Sequence, residues 1–523
     1  MNGAPSEPRF GLAGTAEGLD DLRVMVGTAI DILQNASTAR SGPVAPGGPR
    51  EAGAVASRLL SEPLMSEHGG DPLETFTELA GAYAHWAVDV THPAALARMQ
   101  CPPTVGAVAA ELVAATVNQS LHAWESGPFG LELDRWVIAQ LAELIGYGAG
   151  AGGTLTPGGS VSNLMALIVA RDSVLAAKLG RFVSQEGLIR LGVQPVVLGP
   201  EGIGTHFSTT RAARIVGIGE DQVIRVPTDD LGRMVPEAAD RILANLPDNQ
   251  VPVALFACAG STDLGIVDPL PELVAVAREH GVWLHADAAY GGGALFSTRL
   301  RGMLDGMSEA DSVAIDLHKF GWTPASSSLF LVKRAETLSS FGLDPTTCLT
   351  ADDDTIEGYI GSQSSSLQTT RRVDALKIAV TLRTLGSRRM GEMVDICHDL
   401  ARHAAARIAA EPRLDLAVEP PLSAVLFRYL PRSVADINAF NGALRRRLMC
   451  DGATLLARTH LSQEDDPNTV FLKIIVLNPE TTPEQIDAVI DHILAVAAEL
   501  DVAGAVAVAP LGGGDAKAVC SPS

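Results

Sequence analysis

Lys319 sits in the stretch SVAIDLHKFGWTPASSSLFLVK, residues 312–333, on the connection between two apolar runs. Ser312-Val-Ala-Ile315 ends at Asp316, Gly321 and Pro324 break the chain, and Ser328-Leu-Phe-Leu-Val332 reads as a returning strand. A lysine on a tight turn between buried strands is held rigidly and partly desolvated. Both conditions activate its amine toward a carbonyl carbon, the chemistry of a Schiff base. The chain has six lysines against 33 arginines, and Lys178, Lys333, Lys377, Lys473 and Lys517 have no comparable setting. Taken alone, the position is better read as that of a surface lysine beside a strand.

Three further groups carry chemistry. Thr156-Pro-Gly-Gly-Ser-Val-Ser-Asn163 combines glycines, which permit close backbone approach, with a helix start near Ser162 whose free N–H groups face an anion. This is a phosphate cradle or an ordinary helix start; it is neither a P-loop nor a dinucleotide fingerprint. His285-Ala-Asp-Ala-Ala-Tyr-Gly-Gly ends an apolar strand in Asp287, an acid that needs a cationic or N–H partner, or else caps the following turn. Thr205-His-Phe-Ser208 sets His206 just before a helix, and Cys258-Ala-Gly-Ser-Thr262 follows a strand.

The elements that position these groups alternate. Pro195–Leu198, Val223–Val226, Val251–Phe256 and Val282–His285 read as buried strands, with helices such as Pro271–His280 between them. That alternation predicts an α/β fold with a mainly parallel central sheet covered by helices on both faces. Ligands bind such sheets beyond the carboxyl ends of the strands. We expect a flexible N-terminus over 1–16 and an N-terminal helical segment over 17–110 with a Pro/Gly loop at 41–53. A large domain over 111–400, a small C-terminal α/β domain over 401–502 and a flexible tail over 503–523 complete the chain. Helices are expected over 105–124, 132–144, 372–385 and 389–410. The segment 342–370, rich in Asp, Ser and Thr, is long enough to be a lid or a disordered loop.

The 523 residues suffice for a large core, and the formal charge of −22 argues against nucleic-acid or anionic-membrane partners. Six cysteines without a CxxC pair form neither a disulfide framework nor a zinc site, and they suit a reducing cytoplasm. No uninterrupted apolar run reaches the roughly 18 residues of a membrane span.

A phosphate cradle, a histidine, a strand-end aspartate and a lysine on one parallel sheet are the parts a phosphorylated pyridine aldehyde requires. The phosphate takes N–H donors, the ring nitrogen a carboxylate, the ring face a flat neighbour and the aldehyde an amine. The set implies pyridoxal 5′-phosphate.

From His92 to Thr482 the chain resembles the group II pyridoxal-phosphate-dependent amino-acid decarboxylases, which include aromatic-amino-acid, glutamate and 2,4-diaminobutyrate decarboxylases. Asn118-Gln-Ser120, PGGSVSNLMAL, HFS, HADAAYGG, DLHK, LQTTRRVDALK and LNPETT carry the resemblance, and LQTTRRVDALK looks closest to the bacterial diaminobutyrate branch. It implies fold type I, the aspartate-aminotransferase-like architecture with a seven-stranded-type sheet, and a homodimer with active sites at the interface. By the same resemblance Lys319 carries the Schiff base, Asp287 pairs with the ring nitrogen and His206 stacks on the ring. Ser160, Val161 and Ser162 cradle the phosphate with His318, Thr262 and Ala289 flank the ring, and His92, Pro93, Arg98 and Asn118 lie toward the substrate.

The family's loop tyrosine, which protonates Cα, is replaced here by Thr347 or Cys348, and the loop's only tyrosine is Tyr359. Its loss in relatives is associated with aldehyde-forming oxidative chemistry. The region after Pro93 lacks bulky aromatics, and an Arg98 facing the pocket would disfavour a cationic substrate side chain. The expectation is decarboxylation of a small non-aromatic L-amino acid, aliphatic, acidic or diamino. The rivals are decarboxylation-coupled oxidative deamination and a non-catalytic interaction protein.

Overall fold

A computed structural model describes residues 11–61, 64–65, 69–202, 206–342, 352–463 and 466–502. After a two-residue strand β1 (Ala95–Leu96), seven strands build the central sheet: β2 (Gly152–Thr156), β3 (Gln194–Pro200), β4 (Val223–Val226), β5 (Gln250–Cys258), β6 (Trp283–Asp287), β7 (Ser312–Asp316) and β8 (Ser328–Val332). Their order is β2-β8-β7-β6-β5-β3-β4, and only β8 runs antiparallel to its neighbours. β7 and β8 are buried at every residue, as continuous apolar runs in a sheet covered on both faces must be. The connection between them is too short for a crossover helix, so β8 returns antiparallel.

Four further strands, β9 (Leu414–Leu416), β10 (Ala424–Tyr429), β11 (Leu455–Gln463) and β12 (Asp466–Ile475), join β1 in a second sheet ordered β1-β11-β12-β10-β9. The N-terminal segment is therefore part of the C-terminal sheet, Ala95 pairing in parallel with Leu455.

The helices that matter for the site are α1 (Ala16–Thr38), α2 (Pro72–Trp86), α3 (Val105–Val117), α4 (Pro128–Ile145), α5 (Gly159–Leu179), α6 (Phe207–Ile215), the single turn α7 (Leu317–Phe320) and α8 (Ala375–Ala409). α5 is long and apolar enough to cross a bilayer, but here it is a core helix, with Met165, Ala166, Leu167, Val169 and Ala170 fully buried.

Several boundaries differ from expectation for identifiable reasons. The helix expected over 105–124 stops at Val117, because Asn118 adopts a left-handed conformation (φ 51°) and caps it. α5 begins at Gly159 rather than Ser162. β2 escaped notice because Gly-Gly-Thr-Leu-Thr lacks an apolar run; its glycines pack where a Cβ at Gly153 would lie 2.5 Å from the Phe330 carbonyl oxygen. The two helices expected over 372–410 are α8, broken at Gly386 (φ 66°). The tail at 503–523 and most of the N-terminal stretch lie outside the described residues.

Candidate active site

Parallel strands finish at a common edge, and that edge collects the acids. β5 ends at Cys258, β6 at Asp287 and β7 at Asp316; the register pairs Cys258 with Asp287 and Asp316 with Ser328 of β8. Above this edge lies a cavity of about 280 Å³.

Lys319 projects into the cavity from α7, its side chain 17% exposed, with Nζ 2.9 Å from Asp316 Oδ2. The desolvation expected at this lysine is present, but a carboxylate accompanies it. Asp316 is itself 4% exposed, and its other oxygen accepts a 2.6 Å hydrogen bond from Ser328 Oγ. His318 Nε2 stands 3.6 Å from Asp316 Oδ2, while its Nδ1 lies 2.9 Å from the Ser327 carbonyl. The turn is anchored from beneath: Phe320 stacks on Tyr290 at 5.5 Å, and the Tyr290 hydroxyl accepts from the N–H of Ser423, the residue before β10. This packing needs Gly293, where an added Cβ would fall 2.2 Å from Phe320 Cβ.

Asp287 is held by two donors, Asn163 Nδ2 at 2.7 Å and the Ala289 N–H at 3.1 Å. His206 caps α6, its Nδ1 accepting the Ser208 N–H at 3.3 Å and lying 2.7 Å from Ser208 Oγ. Burial lowers the His206 pKa, with the charge of Asp287 acting against it. Burial also drives the Cys258 thiol well above its usual range.

α5 starts at the cavity without a side-chain cap. Val161 and Ser162 N–H groups turn back to the Gly158 carbonyl, so among the described residues the N–H donors of Gly159 and Ser160 are those left uncommitted. A Cβ on Gly159 would stand 3.1 Å from Ala289 Cβ, so the glycine keeps the cavity floor open. Thr262 lines the opposite side. Its carbonyl accepts from Lys473 Nζ, which also pairs with Asp263 at 2.6 Å and is 4% exposed.

Of the residues singled out by sequence, Lys319, Asp287, His206, Ser160, Thr262, Ala289 and His318 line this one cavity. The others among the described residues lie elsewhere in the single chain. The Ser162 hydroxyl faces inward to Thr156 Oγ1 (2.7 Å) and Ser328 Oγ, because the helix starts a turn earlier than expected; Val161 packs against the hydrophobic cluster behind it. His92 is turned to the Ala94 N–H, and Arg98 is exposed and adds its charge to that felt by Arg445. Asn118 is the α3 cap, and neither it nor His92, Pro93 or Arg98 lines the cavity. Tyr359 is 46% exposed and meets Trp124 edge-on at 4.9 Å, likewise away from the cavity. Thr347 and Cys348 lie outside the described residues.

Sequence reasoning missed Asp316 and Asn163. The signal for Asp316 was an acid three residues before the lysine; for Asn163, it was a polar residue in the first turn of an otherwise apolar helix.

Residues 74–430 match the model of the pyridoxal-dependent decarboxylase conserved domain. The chain is 36% identical over 448 residues to an L-2,4-diaminobutyrate decarboxylase of Rhizobium meliloti (strain 1021), covering 82% of this chain and 85% of the relative. It is 31% identical over 442 residues to the enzyme of that name from Acinetobacter baumannii, covering 83% and 85%. Among solved structures, it is similar to the glutamate decarboxylase domain of a diaminobutyrate-pyruvate transaminase and L-2,4-diaminobutyrate decarboxylase from Vibrio parahaemolyticus. There the TM-score is 0.82 at 24% identity over 93% of this chain and 97% of that one, a likeness of fold. The cavity suits the cofactor of such proteins: uncommitted N–H donors at a long helix start for a phosphate, a carboxylate for a ring nitrogen and a primary amine for an aldehyde. The chain belongs to the pyridoxal-dependent decarboxylase family, has fold type I and is a pyridoxal-phosphate-dependent amino-acid decarboxylase.

Proposed function

We propose that this decarboxylase acts on a small diamino acid of the 2,4-diaminobutyrate class, with Lys319 as the amine that holds the cofactor's aldehyde. The observation that carries the assignment of the site is the Lys319–Asp316 pair at 2.9 Å inside the cavity that Asp287 and His206 also line. Two features support the substrate class. Two relatives above 30% identity carry that name. The described lining residues also include no arginine that would pair with an acidic side chain. Arg98, exposed and away from the lining, gives no ground for excluding such a side chain.

When bound, pyridoxal phosphate supplies a carbonyl carbon for the substrate amine and a ring that takes up the electron pair left by departing CO₂. Asp287 would accept the ring N–H and, as a carboxylate, would favour protonation of that nitrogen. Asn163 and the Ala289 N–H hold Asp287 in place. His206 would cover one ring face, Thr262 and Ala289 would border the ring, and Gly159, Ser160 and His318 would hold the phosphate, all of them lining the cavity. Asp316, 2.9 Å from Lys319 Nζ, would orient that amine to pass a proton to the substrate carbon. Buried Tyr290 and Phe320 wall off water beneath.

A homodimer is part of this reading. Val105, Val108, Leu112, Val113 and Val117 leave one broad side of α3 apolar and exposed, and Phe129, at 74% exposure, lies nearby in sequence at the start of α4. An exposed apolar surface of this kind supports burial by a second copy. Cys101, Cys258 and Cys397 are free and buried, which supports a reducing compartment such as the cytoplasm.

The test is a panel of L-2,4-diaminobutyrate, ornithine, aspartate, glutamate, alanine and phenylalanine. CO₂, amine, aldehyde and peroxide are assayed together, with light scattering for mass. Amine and CO₂ from diaminobutyrate at the highest kcat/KM, on a dimer, is the expected result. Preference for aspartate or glutamate would overturn the substrate class, and aldehyde with peroxide would overturn simple decarboxylation.

A further inference from the structure

Behind the cavity, seven side chains form a continuous hydrogen-bonded chain. Trp283 Nε1 reaches Ser312 Oγ at 2.8 Å, Ser312 Oγ reaches His285 Nδ1 at 2.9 Å, and His285 Nε2 reaches Asn163 Oδ1 at 3.0 Å. From Asn163 the chain forks. Nδ2 donates to Asp287 Oδ2 at 2.7 Å and to Ser208 Oγ at 2.8 Å, and Ser208 Oγ lies 2.7 Å from His206 Nδ1. Trp283, His285, Ser312 and Asn163 are each 3% exposed or less. The chain runs 124 positions in sequence from Asn163 to Asp287 and joins α5 to β6 and β7.

Its two ends determine its direction. An indole N–H can only donate, and an ionised carboxylate can only accept. Ser312 Oγ accepts from Trp283; with Asn163 Nδ2 turned to the Asp287 carboxylate, Asn163 Oδ1 is left to accept from His285 Nε2, and Nδ1 of the neutral ring accepts the Ser312 proton. His285 therefore carries its proton on Nε2 and donates to Asn163 Oδ1. That fixes the amide with both hydrogens toward the site, one on Asp287 and one on Ser208. Ser208 in turn spends its proton on His206 Nδ1, which also accepts the Ser208 N–H, so the His206 proton sits on Nε2. Burial, which pushes the His285 pKa down to about 4 against the charge of Asp287 and the backbone of Ser312, agrees with a neutral ring.

We propose that His285, as its Nε2–H tautomer, is a positioning residue that acts through Asn163 on both faces of the site, steadying Asp287 as an acceptor and His206 as a neutral ring. This rests on the assignment of Asp287 and His206 above, and it concerns a residue that touches neither cofactor nor substrate.

The experiment combines a double-mutant cycle with a direct view of the protons. Dissociation of pyridoxal phosphate from the holoenzyme is followed by equilibrium dialysis for wild type, His285→Leu, His285→Gln, Asn163→Ala, the His285→Leu/Asn163→Ala double variant and Asp287→Asn. kcat and KM are measured on each. His285→Leu should weaken cofactor retention about tenfold and lower kcat with KM little changed, because a donor that orients a buried acceptor is lost. His285→Gln, whose amide N–H falls near the Nε2 position, should recover to within about threefold. The double variant should lose no more than Asn163→Ala alone.

Additive losses, or a glutamine variant no better than leucine, would overturn the proposal. If Asp287→Asn weakens retention while His285→Leu does not, the relay fails and the Asp287 assignment stands. If Asp287→Asn retains the cofactor as wild type does, the assignment fails and the relay with it. Neutron diffraction from the perdeuterated wild-type holoenzyme needs no variant to fold. A deuteron on His285 Nε2 is expected, and one on Nδ1 overturns the proposal.

Discussion

Asp316 and Lys319 face each other across 2.9 Å on successive elements, the acid closing a buried strand and the lysine standing within the helical turn that follows. An aspartate that is 4% exposed is held against its desolvation cost by Lys319 and by the Ser328 hydroxyl. Asp316→Asn keeps the size and a partner for Ser328 but leaves the lysine without its counter-charge. We expect a folded protein with kcat reduced about 10- to 100-fold, the equivalent of roughly 1–3 kcal/mol, and KM little changed. Steady-state kinetics within twofold of wild type would remove Asp316 from the mechanism.

Gly293→Ala tests the support under the lysine turn. The new methyl would collide with Phe320 at 2.2 Å, and Phe320 neighbours Lys319. Overpacking of this kind costs about 1–3 kcal/mol. The melting temperature should fall and the visible band of the bound cofactor should weaken. Unchanged melting would mean that Phe320 moves freely and does not hold the turn.

The pair Lys473–Asp263 ties the second sheet to the loop carrying Thr262, and Thr459 Oγ1 donates to the same aspartate at 2.9 Å. Lys473→Met leaves a partly buried carboxylate unpaired and should cost about 3 kcal/mol by chemical denaturation. Replacing Asp263 with leucine in the same protein should restore much of the loss. A double variant as unstable as the single one would show that the charge is not the cause.

Stability should also respond to the buried imidazole of His285. Its pKa is lowered from 6.5 to about 4 in the folded protein, mainly by burial. As pH falls below 6.5 the unfolded chain takes up a proton that the folded protein refuses until about pH 4, so stability declines across that window. The difference approaches about 3 kcal/mol at its lower end. Between pH 7.5 and 4.5, wild type should therefore lose about 2–3 kcal/mol more than His285→Gln, measured by denaturant titration. Parallel losses in the two proteins would show that His285 does not set this dependence.

Much of the central sheet was legible in advance because its strands are short, mainly apolar runs bounded by turn residues: Val223–Val226 at the sheet edge and the buried Ser328–Val332 match expectation to the residue. Lys319, Asp287 and His206 were legible because each stands at a strand or helix end, where sequence marks the boundary. Asp316 and Asn163 were not, since their meaning lies in register and in contacts across the sheet. No local pattern brings Ser328 beside Asp316 or Asn163 beside Asp287. β2 was hidden by glycines that serve close packing, and the end of α3 by an asparagine whose left-handed backbone looks like any polar residue in sequence.

The pairing of β1 with β11 has a kinetic meaning. Ala95 waits for Leu455, 360 positions later, before its ladder can close. At about 5–20 residues per second of synthesis, that segment stays unpaired for roughly 20–70 seconds on the ribosome. The edge it leaves open is two residues long, too short to template association with another chain, so the delay carries little hazard of aggregation. Completion of the second sheet is thus a late event of biogenesis, and the loop that bears Thr262, tied to that sheet through Lys473, acquires its anchor only then.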